Sequence, residues 1–179
     1  TLGWRGIDSG MAGGPRLRVY ASPETHSSVD KAIRISGIGQ RHLVKVPTDG
    51  SCALDPEALH RAIDADRTAG HLPAGIVLCV GGTSIGACDD LTACIAVAKA
   101  HGLPTHVDAA WAGAAMICPE FRHFWQGVED ADSVVFNPHK WLGAQFDCAV
   151  QFLADPGPQW PLGDPNPVVD DEAKDRRDR

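Results

Sequence analysis

The sequence predicts an α/β protein built around a mainly parallel sheet. Apolar segments of strand length alternate with amphipathic segments of helix length along residues 17–153. Strand–helix–strand order at this spacing produces right-handed crossovers and parallel strands. Residues 75–80 form a continuous apolar run, which is typical of a strand that is buried on both faces of such a sheet.

Strands are expected wherever a short apolar run is bounded by polar or turn-forming residues. Five such runs precede residue 138, and one more lies near residue 150. The predicted strands cover residues 17–22, 42–46, 75–80, 105–109, 133–137 and 147–153.

Three helices are expected between these strands. The first covers residues 26–36 and carries an apolar stripe at a helical spacing. The second begins with Asp55 as its cap and Pro56 in its first helical position. The third follows a glycine-rich loop and is capped by Asp89 or Asp90.

The composition divides the chain into three parts. Residues 1–16 are rich in glycine and are expected to form a loop or an edge, whereas residues 17–153 form the folded domain. Residues 154–179 are rich in proline and charge, so we expect a disordered tail there. Because the chain does not begin with Met, we also expect it to be a piece of a longer protein.

Charge and cysteine content exclude several classes of protein. The net charge is −7, which argues against nucleic acid or an anionic membrane as a partner, because these require a basic face. No apolar run approaches the length of a membrane span. The six cysteines form no C-x-x-C pair, and no secretory signal is visible. We therefore expect reduced thiols, a cytoplasmic location and no metal site.

Ligands of parallel sheets bind at the carboxyl ends of the strands, and four candidate residues lie at such ends. They are Asp108, Lys140, Thr83 and His26. Each has a purely structural alternative, namely a helix cap or ion pair for Asp108, a solvated surface for Lys140, a turn for Thr83 and a cap for His26. Lys140 lies between a strand and two apolar residues, so desolvation is expected to lower its pKa and make its amine nucleophilic.

Taken together, these residues fit one cofactor. Pyridoxal 5'-phosphate needs a lysine for a Schiff base and a carboxylate that keeps its pyridine nitrogen protonated. It also needs a flat partner against its ring, which an imidazole provides. The loop Gly81-Gly82-x-x-x-Gly86 lacks the dinucleotide-binding fingerprint, so a nucleotide-binding domain is disfavoured.

Several segments resemble the group II pyridoxal-phosphate decarboxylases, and the aromatic-L-amino-acid decarboxylases are the nearest branch. The resemblance runs from about residue 19 to about residue 153 and keeps the order and spacing of the family's motifs. It implies the three-layer, mainly parallel sheet of the large domain of fold-type-I pyridoxal-phosphate-dependent transferases, here in part. The segments are 22–29 (SPETHSSV), 106–110 (HVDAA), 117–122 (ICPEFR), 131–133 (ADS), 137–142 (NPHKWL) and 146–148 (FDC).

The resemblance also implies a role for each matching residue. Lys140 would form the Schiff base, Asp108 would pair with the pyridinium nitrogen, and His26 would stack on the ring. The remaining expected cofactor contacts are Ala110 on the other ring face, Thr83 beside the ring substituents, and Asn137 and His139 near the phosphate or the lysine.

Some family features differ or lie elsewhere. Gly82 stands where the family usually has Thr, and Trp111 where it usually has Tyr. The family's phosphate cradle would precede Thr1, while a mobile catalytic loop and a small C-terminal domain would follow the matched segment. We therefore expect that the isolated chain is not a working enzyme, and that the intact one is a homodimer.

The expected function is decarboxylation of an L-amino acid, with an aromatic one favoured. Two alternatives stay open. A related enzyme of the same family could act on glutamate or cysteine sulfinate, or could form an aldehyde. A non-catalytic, truncated remnant is the second alternative.

Overall fold

Six strands form one sheet in a computed structural model that describes residues 14–155. The strands are β1 (Leu17–Ala21), β2 (Leu43–Lys45), β3 (Leu72–Cys79), β4 (Thr105–Asp108), β5 (Ser133–Phe136) and β6 (Val150–Leu153). Their order is β2-β1-β3-β4-β5-β6. Neighbours from β2 to β5 pair in parallel, whereas β6 runs antiparallel to β5. The predicted mainly parallel sheet is therefore confirmed.

Helices connect the strands and begin at polar caps. They are α1 (Ser27–Ile35), α2 (Pro56–Thr68), α3 (Leu91–Ala100) and the short α4 (Pro138–Trp141). The Asp55 carboxylate accepts hydrogen bonds from two backbone N–H groups in the first turn of α2, as its position before Pro56 predicted. Asp90, rather than Asp89, caps α3 by accepting from the backbone of Ala93.

The helices cover both faces of the sheet, so the fold has three layers. Tyr20 of β1 belongs to the larger core, which packs against α2 and α3 through buried residues such as Leu59 and Ile95. The next residue, Ala21, points to the opposite face and packs with Ile33 of α1, because successive side chains of a strand alternate between faces. The predicted three-layer architecture is confirmed.

Several parts of the sequence fold differently from the prediction. Strand β6 begins at Val150 and not at residue 147, and the short helix α4 was not predicted. Strand β3 begins at Leu72 and not at residue 75. Pro73 pairs with Arg18 and Gly75 with Val19, so a register shift between these pairs leaves Ala74 without a partner on β1. The connection between β4 and β5 contains 3₁₀ helices that the sequence did not predict. These are Gly113–Ile117, Pro119–Trp125 and Val128–Asp130.

The predictions for the two terminal segments concern residues that the structure mostly does not describe. Most of the predicted edge, 1–16, and nearly all of the predicted tail, 154–179, lie outside the described residues. Among the residues that are described, no helix combines the length and the apolar character needed to cross a bilayer.

Candidate active site

A cavity of about 530 Å³ lies at the carboxyl ends of the central strands, on the face covered by α1. A volume of this size is within the usual range for small-molecule and cofactor sites. Six of the seven residues predicted for the site line it, and they come from the ends of four strands. They are His26 after β1, Thr83 after β3, Asp108 and Ala110 from β4, and Asn137 and Lys140 after β5.

Asp108 is the last residue of β4 and is partly buried. The backbone N–H of Ala110 donates a hydrogen bond of 3.0 Å to its Oδ1 atom, which fixes the carboxylate at the mouth of the strand. His106 lies two residues earlier on the same face and also lines the cavity. Its Nδ1 atom lies 2.7 Å from the hydroxyl of Ser133. Burial lowers the pKa of His106, and the nearby Asp108 carboxylate opposes that shift.

Lys140 lies in α4, which starts directly after β5 with Pro138 at its first position. The backbone N–H of Lys140 bonds to the carbonyl of Asn137 at 3.0 Å. Its side chain reaches the cavity, but the residue is exposed. Trp141 and Leu142 are 45% and 47% exposed. The expectation that apolar neighbours desolvate Lys140 is therefore wrong for the described part of the chain.

His26 caps a helix and also lines the cavity. It is the N-cap of α1, and its Nδ1 atom accepts a hydrogen bond of 3.2 Å from the backbone N–H of Ser28. That bond leaves the proton of a neutral imidazole on Nε2. The capping contact fixes the ring at the edge of the cavity, so the same residue can start the helix and face a ligand.

The glycine loop brings Thr83 to the rim of the cavity, where Thr83 is exposed. Gly81 has a φ of +79°, and a Cβ atom built on it would lie 2.2 Å from the Cβ of Ala112. At Gly82, a Cβ atom would lie 3.2 Å from the carbonyl oxygen of Glu24. The loop therefore packs closely against two neighbouring segments, and glycine satisfies that close approach.

Asn137 and His139 flank the same turn but face different surroundings. The Oδ1 atom of Asn137 is buried and has no hydrogen-bond partner among the described residues. His139 does not line the cavity. Its Nδ1 atom lies 2.8 Å from the carbonyl oxygen and 3.0 Å from the backbone nitrogen of Cys148, and 3.2 Å from the carboxylate of Asp147. His139 thus ties the start of α4 to the segment that leads into β6.

Sequence reasoning missed three polar or aromatic residues of the cavity, namely His106, Ser28 and Trp111. The signal for His106 was present, since it shares a strand face with Asp108 at a spacing of two. The indole of Trp111 meets that of Trp141 edge to face, with 4.8 Å between ring centroids. Trp111 lies in the segment after β4, where the alternation of side chains along a strand no longer predicts which residues face the cavity.

Outside the cavity, His60, Asp64 and His101 come together between α2 and the end of α3. Arg67 donates a hydrogen bond of 3.0 Å to Nδ1 of His101, and Nε2 of His101 lies 2.8 Å from Nδ1 of His60. A permanently cationic guanidinium at this position opposes a metal ion. We therefore describe the cluster as a hydrogen-bonded chain and assign it no metal.

The donor set of the cavity fits pyridoxal phosphate. The cofactor needs an amine, a carboxylate and a planar partner, and Lys140, Asp108 and His26 supply them around one space. The buried, unpartnered Oδ1 atom of Asn137 is an acceptor that still needs a donor, because leaving a buried polar atom unbonded is costly.

Comparison with known proteins agrees with this chemistry. Residues 10–157 match the family described as the pyridoxal-dependent decarboxylase conserved domain. The chain is 46% identical over 138 residues to the aromatic-L-amino-acid decarboxylase of Bos taurus, a match that covers 77% of this chain and 28% of that protein. It is 44% identical over 156 residues to the phenylacetaldehyde synthase of Petunia hybrida, covering 86% of this chain and 31% of that protein.

Solved structures also resemble this chain. The crystal structure of mouse CSAD in its apo form superposes with a TM-score of 0.81 at 35% identity, covering 84% of this chain and 32% of that one. The crystal structure of Oryza sativa TDC with PLP superposes with a TM-score of 0.78 at 42% identity, covering 85% of this chain and 32% of that one. The chain thus spans about a third of the length of these relatives.

The fold and the cavity define part of the large domain of a fold-type-I pyridoxal-phosphate protein. The chain belongs to the pyridoxal-dependent decarboxylase family. The family and the cofactor predicted from the sequence motifs are therefore confirmed.

Proposed function

We propose that the protein containing this chain removes the α-carboxylate of an aromatic L-amino acid, with pyridoxal phosphate held at Lys140. The observation that carries the proposal is the convergence of Lys140, Asp108 and His26 on one cavity. These residues are far apart in sequence and lie at the ends of three different strands of the sheet. An arrangement of this kind at the carboxyl edge is where α/β sheets bind ligands.

When bound, the cofactor supplies a protonated ring that withdraws the electron pair left as carbon dioxide departs. In our proposal, Asp108 holds the proton on the pyridine nitrogen. Its carboxylate is already oriented by the hydrogen bond from the backbone of Ala110. Lys140 supplies the primary amine that anchors the cofactor, and its exposure leaves that amine accessible.

The other lining residues position the ring. His26 presents a flat imidazole whose orientation is fixed by its bond to Ser28. In the proposed arrangement, Ala110 packs on the opposite ring face and Thr83 contacts the ring substituents. Asn137 accepts a hydrogen bond through its free Oδ1 atom, beside the start of α4.

In this proposal His139 positions Lys140 and does not contact the cofactor. Its contact with the backbone of Cys148 braces the turn that carries Lys140, and its side chain is only 6% exposed. We assign it the orientation of the lysine-bearing turn rather than direct contact with the phosphate, because it does not line the cavity.

An aromatic substrate is supported by the relatives and by the wall of the cavity. Trp111 and the valines at positions 77 and 135 give this wall an apolar, partly aromatic surface, which suits an aromatic side chain. The named relatives include decarboxylases of tryptophan in Camptotheca acuminata and of tyrosine in Papaver somniferum.

Two other reactions have specific support. The match to a phenylacetaldehyde synthase favours an aldehyde product as the second candidate. The superposition on a glutamate decarboxylase domain from Vibrio parahaemolyticus, with a TM-score of 0.76 at 28% identity, favours a small acidic substrate, such as glutamate or cysteine sulfinate, as the third. All three candidates use the same lysine and carboxylate, so product analysis is the measurement that separates them.

The test combines labelling and product analysis. Protein loaded with pyridoxal phosphate is reduced with borohydride and digested, and the pyridoxyl group is expected on the peptide that contains Lys140. Lys140→Ala should remove the label and the activity, whereas Lys31→Ala, at an exposed position of α1, should keep both. A label on another peptide would overturn the assignment of Lys140.

Products are then measured with dihydroxyphenylalanine, tryptophan, tyrosine, glutamate and cysteine sulfinate. Release of an aromatic amine and carbon dioxide supports the main proposal, and release of an aldehyde supports the second candidate. Turnover confined to the acidic substrates supports the third. A correctly labelled protein that releases no product from any of them would indicate a non-catalytic remnant.

We further infer that the intact protein is a cytoplasmic homodimer. The support is the family relationship together with the free cysteines, since all six in the sequence lie in the described region and none of them forms a disulfide there. Analytical ultracentrifugation of the cofactor-loaded protein and cell fractionation test these two statements separately.

A further inference from the structure

A second cavity lies at the opposite edge of the sheet from the candidate active site. Its open volume is about 780 Å³. It is bordered by the residues that enter β1, β2 and β3, and these strands are parallel, so their starts share one edge. The catalytic candidates all lie at the other ends of the strands, so the sheet separates the two cavities.

The lining of this second cavity is strongly basic, although the chain carries a net charge of −7. Its charged or titratable members are Arg16, Arg18, Arg41, His42 and His71, and no carboxylate is among the described lining residues. Concentrated positive charge on an acidic protein creates a local field that attracts anions.

One of the arginines is fixed in place by its neighbours. The Nε atom of Arg18 lies 3.2 Å from a carboxylate oxygen of Asp66, and its Nη1 atom donates a hydrogen bond of 2.8 Å to the carbonyl of Arg41. The second oxygen of Asp66 accepts from the hydroxyl of Tyr20 at 2.9 Å. Asp66 is therefore engaged with Arg18 and Tyr20, which leaves Arg16 and Arg41 to face the cavity as exposed cations.

His42 lies among the positive charges of this cavity. Its Nδ1 atom is buried and has no hydrogen-bond partner among the described residues. Desolvation and then the positive charge of Arg18 lower the pKa of His42, with further contributions from His71, Arg16 and Arg41. A group surrounded by cations and left with an unbonded nitrogen is stabilised by an anion that bonds to it.

We propose that this cavity binds a compact oxyanion with two or more negative charges, such as a phosphate ester or a dicarboxylate. Guanidinium groups recognise both kinds of oxyanion through paired, charge-assisted hydrogen bonds. Arg16 and Arg41 supply these bonds, and Arg18 and His42 form the base of the site. The site is separate from the cofactor cavity, because its residues border the starts of the strands.

The test uses protein already loaded with pyridoxal phosphate, so that the cofactor cavity is filled. Isothermal titration calorimetry follows the binding of inorganic pyrophosphate, of succinate and of sodium chloride at matched ionic strength. We expect saturable binding of pyrophosphate or succinate and none of chloride. The better of the two probes then identifies the ligand as a phosphate or a carboxylate compound.

Matched variants locate the site. Arg16→Gln combined with Arg41→Gln should weaken binding by about tenfold or more, because two guanidinium partners are lost. Lys31→Gln combined with Arg61→Gln removes the same charge from exposed positions on α1 and α2 and should leave the affinity nearly unchanged. Equal losses in the two double variants, or no saturable binding to the starting protein, would overturn the proposal.

A second measurement requires no variant. Nuclear magnetic resonance titration of the His42 ring should show that its pKa rises when pyrophosphate or succinate is added, because a nearby anion favours the protonated imidazole. A pKa for His42 that is unmoved by saturating amounts of both probes would place any observed binding elsewhere and contradict the proposal.

Discussion

The Oδ1 atom of Asp108 accepts a hydrogen bond of 3.0 Å from the backbone N–H of Ala110. Because Asp108 ends β4 and Ala110 is the second residue of the loop that follows, the bond ties the carboxylate to the start of that loop. Both residues line the cavity that we propose for the cofactor. The carboxylate is thus held in position by the chain itself, before any ligand is considered.

Asp108→Asn is expected to preserve the fold and the borohydride label on Lys140, and to lower turnover by roughly 100-fold or more, as is typical when an oriented electrostatic partner is removed. The amide keeps the bond to Ala110 but cannot hold a positive charge on the ring nitrogen. Steady-state kinetics and peptide labelling measure the two effects. Asp130→Asn, at an exposed ion pair with Lys99, serves as the control, and wild-type turnover in Asp108→Asn would refute the assigned role.

Asp89 is expected to be a main determinant of stability. Its two carboxylate oxygens accept hydrogen bonds from the backbone N–H groups of Leu54, at 2.7 Å, and Cys79, at 2.8 Å. Burial raises the pKa of Asp89, and these two bonds oppose the shift. Asp89→Ala leaves both buried donors unbonded, at about 1–3 kcal/mol each. Urea denaturation should therefore show a loss of about 2–6 kcal/mol.

The neighbouring Asp90→Ala variant is the natural comparison. It removes a helix cap from α3, which typically costs about 1 kcal/mol. If Asp90→Ala proved as destabilising as Asp89→Ala, the bridging role of Asp89 between two segments would be contradicted.

Gly113→Ala is expected to destabilise the protein by about 1–3 kcal/mol through overpacking. A Cβ atom at position 113 would lie 2.2 Å from the Cβ of Phe136 in β5. Either the 3₁₀ helix or the end of β5 must then shift, and Lys140 lies in the helix that comes after β5. Thermal unfolding measures the cost. Gly50→Ala, where nothing lies within 4 Å of the added atom, is the control and should remain close to the starting stability.

Acid is expected to destabilise the fold through histidines whose pKa values are lowered in the folded protein. Desolvation and then the Arg67 guanidinium lower the pKa of His101 below its ordinary value of 6.5. The unfolded chain therefore binds protons more readily than the folded one, so stability rises as pH increases through this range and falls as pH drops below 6.5. Denaturation curves between pH 7 and pH 5 test this.

His101→Gln should flatten that dependence, because the substituted residue does not titrate. His42 and His106 have lowered pKa values as well, so part of the slope should remain. An unchanged slope in His101→Gln would show that the Arg67 contact does not govern the titration.

The sheet was predictable because its strands are short apolar runs, and such runs are buried most readily as the inner strands of a sheet covered by helices. The limits of the prediction have physical reasons. The start of β3 contains Pro73 and Gly75, which are typical of turns, yet pairing with β1 and a register shift keep this part in the sheet. The 3₁₀ segments between residues 113 and 130 follow neither the period of a helix nor that of a strand.

The cavity was predictable in its location and less so in its details. Asp108 and Lys140 follow strands, so topology alone brings them to one edge. The direction of a side chain depends on its tertiary partners. His139 points to the backbone of Cys148, nine residues later in the chain, and the residues next to His139 in the sequence do not predict that contact. The exposure of Lys140 likewise depends on which surfaces cover α4, and sequence spacing does not describe that.

The wide separation of the cavity residues along the chain has a consequence for folding. His26 follows the first strand and Lys140 follows the fifth, so the cavity acquires its full set of lining groups only when the last parallel strand docks. Contacts between distant parts of a chain form slowly, because long loops must close first. During synthesis, a nascent chain that ends before β5 exposes the partly built sheet. Maturation of the site is therefore coupled to completion of the sheet, and a strand-pairing error at β5 misplaces Lys140 relative to the other lining groups.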